Sequence, residues 1–158
     1  MADYRLAQMA TIVGGAVAAV LLGVLVWDRL RDDPRDEGLA RAATVGKAVY
    51  DAQCASCHGA NLEGQPNWRE RLPNGRLPAP PHDATGHTWH HDDDMLFGIT
   101  KNGVGAYAPA GYQSDMPGFA DKLTDTEIWA VLGYIKSTWP AEMREYQAAI
   151  SQQSERRR

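Results

Sequence analysis

The two cysteines of this 158-residue chain stand three positions apart, and a histidine directly follows the second: Cys54-Ala55-Ser56-Cys57-His58. A thiol pair at this spacing suits several chemistries, and its surroundings discriminate between them. A structural zinc site takes four ligands, usually two cysteine pairs or a cysteine pair with a histidine pair, and the chain has no second cysteine pair. A thioredoxin-like dithiol needs a βαβ setting, whereas the sequence shows almost no alternating β-branched pattern. A disulfide across two residues closes a tight loop and leaves His58 unexplained. Covalent haem attachment uses all three residues: the thiols add to two vinyl groups as thioethers, and an imidazole in the next position becomes an axial ligand of the iron.

Such a group must be held by helices. Val45, Ala48, Val49 and Ala52 recur at helical spacing before the motif, with Thr44 as N-cap. Asp92, Asp93 and Asp94 place negative charge at the start of a second helix through Met95, Leu96 and Ile99, which Asn102-Gly103 closes. Thr124-Asp125-Thr126-Glu127 reads as a capping box, after which Ile128, Val131, Leu132, Ile135 and Trp139 form an apolar stripe ending at Pro140. The remainder is rich in Pro and Gly, so the expected fold class is all-α, a haem domain of about three to five helices.

The N-terminus differs from this domain. From Leu6 to Trp27 no residue is charged, and these 22 positions form a helix about 33 Å long at 1.5 Å per residue, enough for a bilayer core of about 30 Å. A cleaved signal peptide has a shorter apolar region with a small-residue site after it, whereas Val26, Trp27, Asp28, Arg29 and Leu30 follow here. We therefore expect residues 1–27 to be an N-terminal tail and a single transmembrane anchor helix, with residues 6–27 in the lipid bilayer. Residues 28–41, highly charged and holding Pro34 and Gly38, read as a flexible linker reaching roughly 20 Å. Residues 42–140 are the haem domain and 141–158 a C-terminal extension. Residues 42–155 carry eight Lys/Arg against fourteen Asp/Glu, which argues against docking through a broad lysine ring. The net charge of −4, with Arg156, Arg157 and Arg158 as the only basic run, excludes a nucleic-acid footprint.

From Thr44 to Trp139 the haem motif, the element order and a downstream methionine resemble the class I cytochrome c family, in its membrane-anchored bacterial form. The resemblance implies that the first and last helices of the domain cross at Gly46 and Tyr134, with Tyr50 nearby. It also implies a sixth iron ligand, for which Met116 in the loop Ser114-Asp115-Met116-Pro117-Gly118-Phe119 is expected, with His58 opposite. Met95 falls within a helix, Met143 follows one, and Met1 and Met9 belong to the anchor region. In Pro78-Ala79-Pro80-Pro81-His82 the resemblance implies a backbone carbonyl that accepts the proton of the axial histidine's other nitrogen; Pro81 is the expected residue, with Pro80 adjacent. Haem propionates are buried anions that need donors, and Trp68, Arg69, Trp89 and His90 can supply them. His82, His87, His90 and His91 beside the three aspartates offer an alternative copper or zinc site.

The resemblance further implies a one-electron carrier on the periplasmic side of the inner membrane, working between membrane redox complexes such as a cytochrome bc-type donor and a terminal oxidase or photosynthetic reaction centre. Charge placement alone points the other way, since Arg5 precedes the span and Arg29, Arg31, Arg35 and Arg41 follow it. Haem delivery outside the cytoplasm is the reason to set that rule aside. A fixed haem subunit of a larger oxidoreductase is a second class, consistent with the small residues Gly14, Gly15, Ala16 and Gly23 in the span. A gas sensor or peroxidase is a third, and it needs the iron position that Met116 fills. No nucleophile–base pair or nucleotide loop is visible, so neither turnover nor a small-molecule substrate is expected.

Overall fold

Helix α1 spans Pro34–Gln53 and begins on a proline, whose fixed φ and missing N–H suit the first helical position. The computed structural model describes the backbone of residues 34–158 and the side chains of residues 43–158. The expected membrane segment at 6–27 lies outside them; among the described residues no helix is long and apolar enough to cross a membrane. Two expectations are corrected here. Thr44 lies inside α1 rather than capping it, and residues 34–41 of the expected linker are helical. The stretch Asp36-Glu37-Gly38-Leu39-Ala40-Arg41 mixes good helix formers with acids near the helix start, and that local preference outweighs its polarity.

From Arg41 to Arg158 the chain forms one compact unit. After α1 come a single helical turn, α2 (Ala55–His58), then α3 (Asp93–Asn102), α4 (Asp125–Ser137) and α5 (Ala141–Glu155), with 3-10 turns at Thr88–His90 and Val104–Ala106 and no strand among the described residues. The Asp92 carboxylate caps α3 by accepting from the Met95 N–H at 2.8 Å, and Gly103 at φ +83° ends it. The capping box of α4 is complete: Thr124 Oγ1 accepts from the Glu127 N–H, and the Glu127 carboxylate accepts from the Thr124 N–H at 2.8 Å.

The apolar stripe of α4 supplies Ile128, Val131, Leu132 and Ile135 to a core completed by Val49, Tyr50, Leu62, Leu96, Phe119, Leu123 and Trp139. Helices α1 and α4 touch backbone to side chain at Gly46, where a Cβ would overlap the Ala130 carbonyl and the Tyr134 side chain. This close crossing holds the start of the haem motif, since the Tyr50 ring, fully buried, lies 5.6 Å from Tyr134 and its hydroxyl donates to the Gly59 carbonyl at 2.8 Å. Helix α5 continues past Pro140 and packs on the turn Thr88–His90.

Candidate haem site

The motif is wound into one turn because the Cys54 carbonyl accepts from the N–H groups of both Cys57 (3.1 Å) and His58 (2.9 Å). Both thiols are free; Cys54 is partly buried and Cys57 exposed. Burial, and then the neighbouring Cys57, pushes the Cys54 thiol up to about 11. His58 is buried, and that burial lowers its pKa against an opposing backbone hydrogen bond. The bond joins His58 Nδ1 to the Pro80 carbonyl at 2.8 Å. A carbonyl only accepts, so Nδ1 carries the proton and Nε2 keeps the lone pair that binds a metal.

The acceptor is therefore Pro80, one residue ahead of the expected Pro81. Successive carbonyls of an extended segment point to opposite sides, and the Pro81 carbonyl faces Gly86, where a Cβ would overlap it. Two backbone bonds fix this register: the His82 N–H donates to Leu62 at 2.8 Å and the Gln65 N–H to Ala79 at 2.9 Å. Gly64, at φ +68°, brings the chain against the Pro80–Pro81 peptide so closely that no Cβ fits.

His82 shares the face of Pro80, two residues earlier, and its ring stacks on His58 with centroids 4.0 Å apart and planes at 24°. Its Nδ1 lies 2.8 Å from the Thr88 hydroxyl, and its carbonyl accepts from Trp139 Nε1 at 2.7 Å. Burial, then the neighbouring His58 and His87, holds its pKa well below the usual histidine range. The sequence grouped His82 with a second metal site, whereas among the described residues no three His, Cys, Asp or Glu side chains are placed to hold one. The other histidines pair with aromatic rings: His87 stacks on Trp68 at 5.4 Å and meets His91 edge-on, and His90 stacks on Trp89 at 3.7 Å.

Met116 packs, half-buried, against the core, and its N–H donates to Ser114 Oγ at 3.1 Å. Asp115 beside it pairs with Arg76, and beyond it the Phe119 N–H donates to the Thr100 and Lys101 carbonyls at 3.0 Å. Of the four expected propionate donors, Trp89 has a buried Nε1 with no hydrogen-bond partner, a rare and costly state for an indole N–H. Arg69 lies over the Trp68 ring at 4.0 Å, so these two form a separate stack with His87. The residues present fit a covalently bound haem: two free thiols on one turn, an imidazole with Nε2 unprotonated, and a buried donor without an acceptor. Sequence reasoning missed the places of Thr88 and Gln147, polar residues buried at a turn and on a helix where no motif marks them.

A family model described as Cytochrome c matches residues 43–139. The chain is similar to cytochrome c-555 of Prosthecochloris aestuarii, with 36% identity over 64 residues that cover 37% of this chain and 65% of the relative. It is also similar to the cbb3-type cytochrome c oxidase subunit CcoP of Azospirillum brasilense, with 31% identity over 96 residues that cover 61% of this chain and 28% of that subunit. The chain thus spans less than two thirds of the length of these curated relatives. No solved structure matches it.

Proposed function

The chain belongs to the cytochrome c family and carries a covalently bound haem c, and from that premise we propose a single-electron carrier with thioethers at Cys54 and Cys57 and with His58 Nε2 and Met116 Sδ as axial ligands of the iron. The haem, when bound, supplies a one-electron ferric/ferrous couple. The chain's own residues orient and enclose it. Pro80 fixes the tautomer of His58 and makes its Nε2 a better donor. The Met116 thioether, soft and neutral, would favour ferrous iron and fill the position where oxygen or peroxide could otherwise bind. Trp89 Nε1 would donate to a propionate, with His90, stacked on it, as a further donor; Trp68 and Arg69 stand apart in their stack with His87.

The observation that carries this reading is the 2.8 Å contact from His58 Nδ1 to the Pro80 carbonyl, which leaves Nε2 ready for iron beside two free thiols. Optical spectra of the haem-loaded protein test it. A weak far-red methionine-to-ferric-iron band that is lost in Met116→Ala, and no change with carbon monoxide in the wild type, are expected. Ready binding of carbon monoxide by the wild type would overturn the Met116 assignment and favour a sensor or peroxidase.

We place the haem domain on the periplasmic side of the inner membrane, tethered through residues 6–27 and exchanging electrons with membrane redox complexes. A tether raises the effective concentration of the domain near such partners. The similarity to CcoP, named as a subunit of a cbb3-type cytochrome c oxidase, supports a second reading in which this chain is a fixed haem subunit of an oxidoreductase. Gentle detergent extraction separates the two: a free monomer supports the shuttle, and a stoichiometric complex supports the subunit.

A further inference from the structure

Helix α5 lies beyond the residues matched by the family model, yet its Gln147 is 0% exposed and more deeply buried than the axial-ligand candidate His58. Gln147 Nε2 donates to Asp93 Oδ1 at 2.7 Å and to the His91 carbonyl at 3.2 Å, and lies 3.0 Å from Ser151 Oγ. Neither the carbonyl nor the carboxylate can donate, so the amide must point its NH2 this way. Ser151 Oγ in turn accepts from the Asp93 N–H at 3.0 Å, and Lys136 binds the Asp93 carboxylate at 2.7 and 2.9 Å. Gln147 Oε1 is buried without a donor, so the amide acts through its NH2 alone. What the polar side chain provides is a fixed location for the backbone at His91 and Asp93.

Beside Gln147 on α5, about 100° around the helix, Tyr146 meets the Trp89 ring edge-on at 5.7 Å and the His90 ring at 5.9 Å. The turn Thr88–His90 is thus held at its side chains by Tyr146 and at its exit by Gln147. The same turn reaches the haem site twice. Thr88 touches His82, whose ring lies on His58, and Trp89 carries the unpartnered indole N–H.

We propose that Gln147 and Tyr146 are positioning residues for the haem, fixing the Thr88–His90 turn so that Trp89 meets a propionate and the reduction potential is set. The inference rests on the haem reading above, and on Trp89 as propionate donor for its main route. Losing the donor leaves the propionate charge uncompensated, which stabilises ferric iron and lowers the potential.

The test is the midpoint potential of the full haem-loaded chain, followed by spectroelectrochemistry beside its thermal unfolding. Gln147→Met keeps the volume and removes the hydrogen bonds; it is expected to lower the reduced-to-oxidised ratio at fixed applied potential about threefold, which is about 28 mV for one electron. Trp89→Phe is expected to lower it at least as much, and Gln147→Met to add nothing in the Trp89→Phe background. Tyr146 is half exposed, so Tyr146→Ala folds and is expected to shift the ratio in the same direction, while Tyr146→Phe matches the wild type. A shift with Trp89→Phe but none with Gln147→Met or Tyr146→Ala overturns the proposal and leaves the Trp89 reading standing. A shift with Gln147→Met but none with Trp89→Phe removes the propionate assignment and supports control by α5 through Thr88 and His82. No shift in any variant overturns both.

Discussion

On the His58 side, residues 59–65 are joined to residues 79–83 by backbone bonds from Gln65 to Ala79 and from His82 to Leu62, and two glycines admit no side chain against Pro80 and Pro81. On the Met116 side, the loop after Tyr107 makes only short-range backbone bonds, such as Tyr112 to Pro109 at 3.0 Å, until Phe119 rejoins α3 at Thr100 and Lys101. A partly exposed ion pair of Arg76 with Asp115, and Arg71 over the Tyr112 ring at 5.8 Å, link that loop to the residues before it. The first wall is cross-linked by backbone bonds between segments separated in sequence. The second is anchored at its ends. Backbone pinning makes the first wall the more rigid and the second the more adaptable, and the ligands proposed above, His58 and Met116, stand one on each.

The sharpest way to break this contrast is Gly64→Ala. It adds a Cβ at φ +68° against the Pro80–Pro81 backbone, combining left-handed strain with overpacking, and should cost roughly 2–4 kcal/mol in chemical denaturation of the holoprotein. A loss under about 0.5 kcal/mol would mean that this wall yields as readily as the other. Hydrogen exchange on haem-free protein gives the next largest expected difference. The amides of Gln65 and His82 should stay protected, while those of residues 110–115 exchange near the rate of an open chain; equal protection would erase the distinction. Asp115→Asn removes an exposed ion pair from the adaptable wall and should change stability by less than about 1 kcal/mol.

The smallest effect is expected from pH. His87 and His91 are held below the ordinary histidine range, first by burial and then by neighbouring cations: His91, His90 and Arg69 for His87, and His90 for His91, where Asp92 opposes. The unfolded imidazoles therefore bind protons first as pH falls, so this stability is complete above about pH 6.5 and declines below it. Unfolding midpoints at pH 7.5 and 5.5 should differ more in the wild type than in His87→Gln.

The same division marks what could be read from the sequence. The thiol–thiol–imidazole motif, the Asp92 cap, the Thr124 capping box and the apolar face of α4 are short-range patterns, and each appears where its residues stand. The choice between Pro80 and Pro81 was out of reach, because it depends on which carbonyl of an extended pair turns inward, and that is set by Gly64 and Gly86 from elsewhere in the chain. In the sequence His82 is one of four histidines that offer an alternative metal site; only its packing against His58 makes it part of the pocket wall. Helix α5 was legible as a segment but not as a docked one, since it buries Gln147 and Ser151 rather than an apolar stripe.

The hydrogen bond from Trp139 to the His82 carbonyl and the crossing of Gly46 with Tyr134 have a consequence in time as well as in space. The part of the core that closes over the motif from the C-terminal side is made late: Ile128 to Trp139 follow Cys57 by more than 70 residues. At about 5–20 residues per second, roughly 4–14 s separate the synthesis of Cys54, partly buried in the fold, from the start of α4. The residues that close over the motif thus reach it only after both thiols have been made, so the motif spends its first seconds as an open thread.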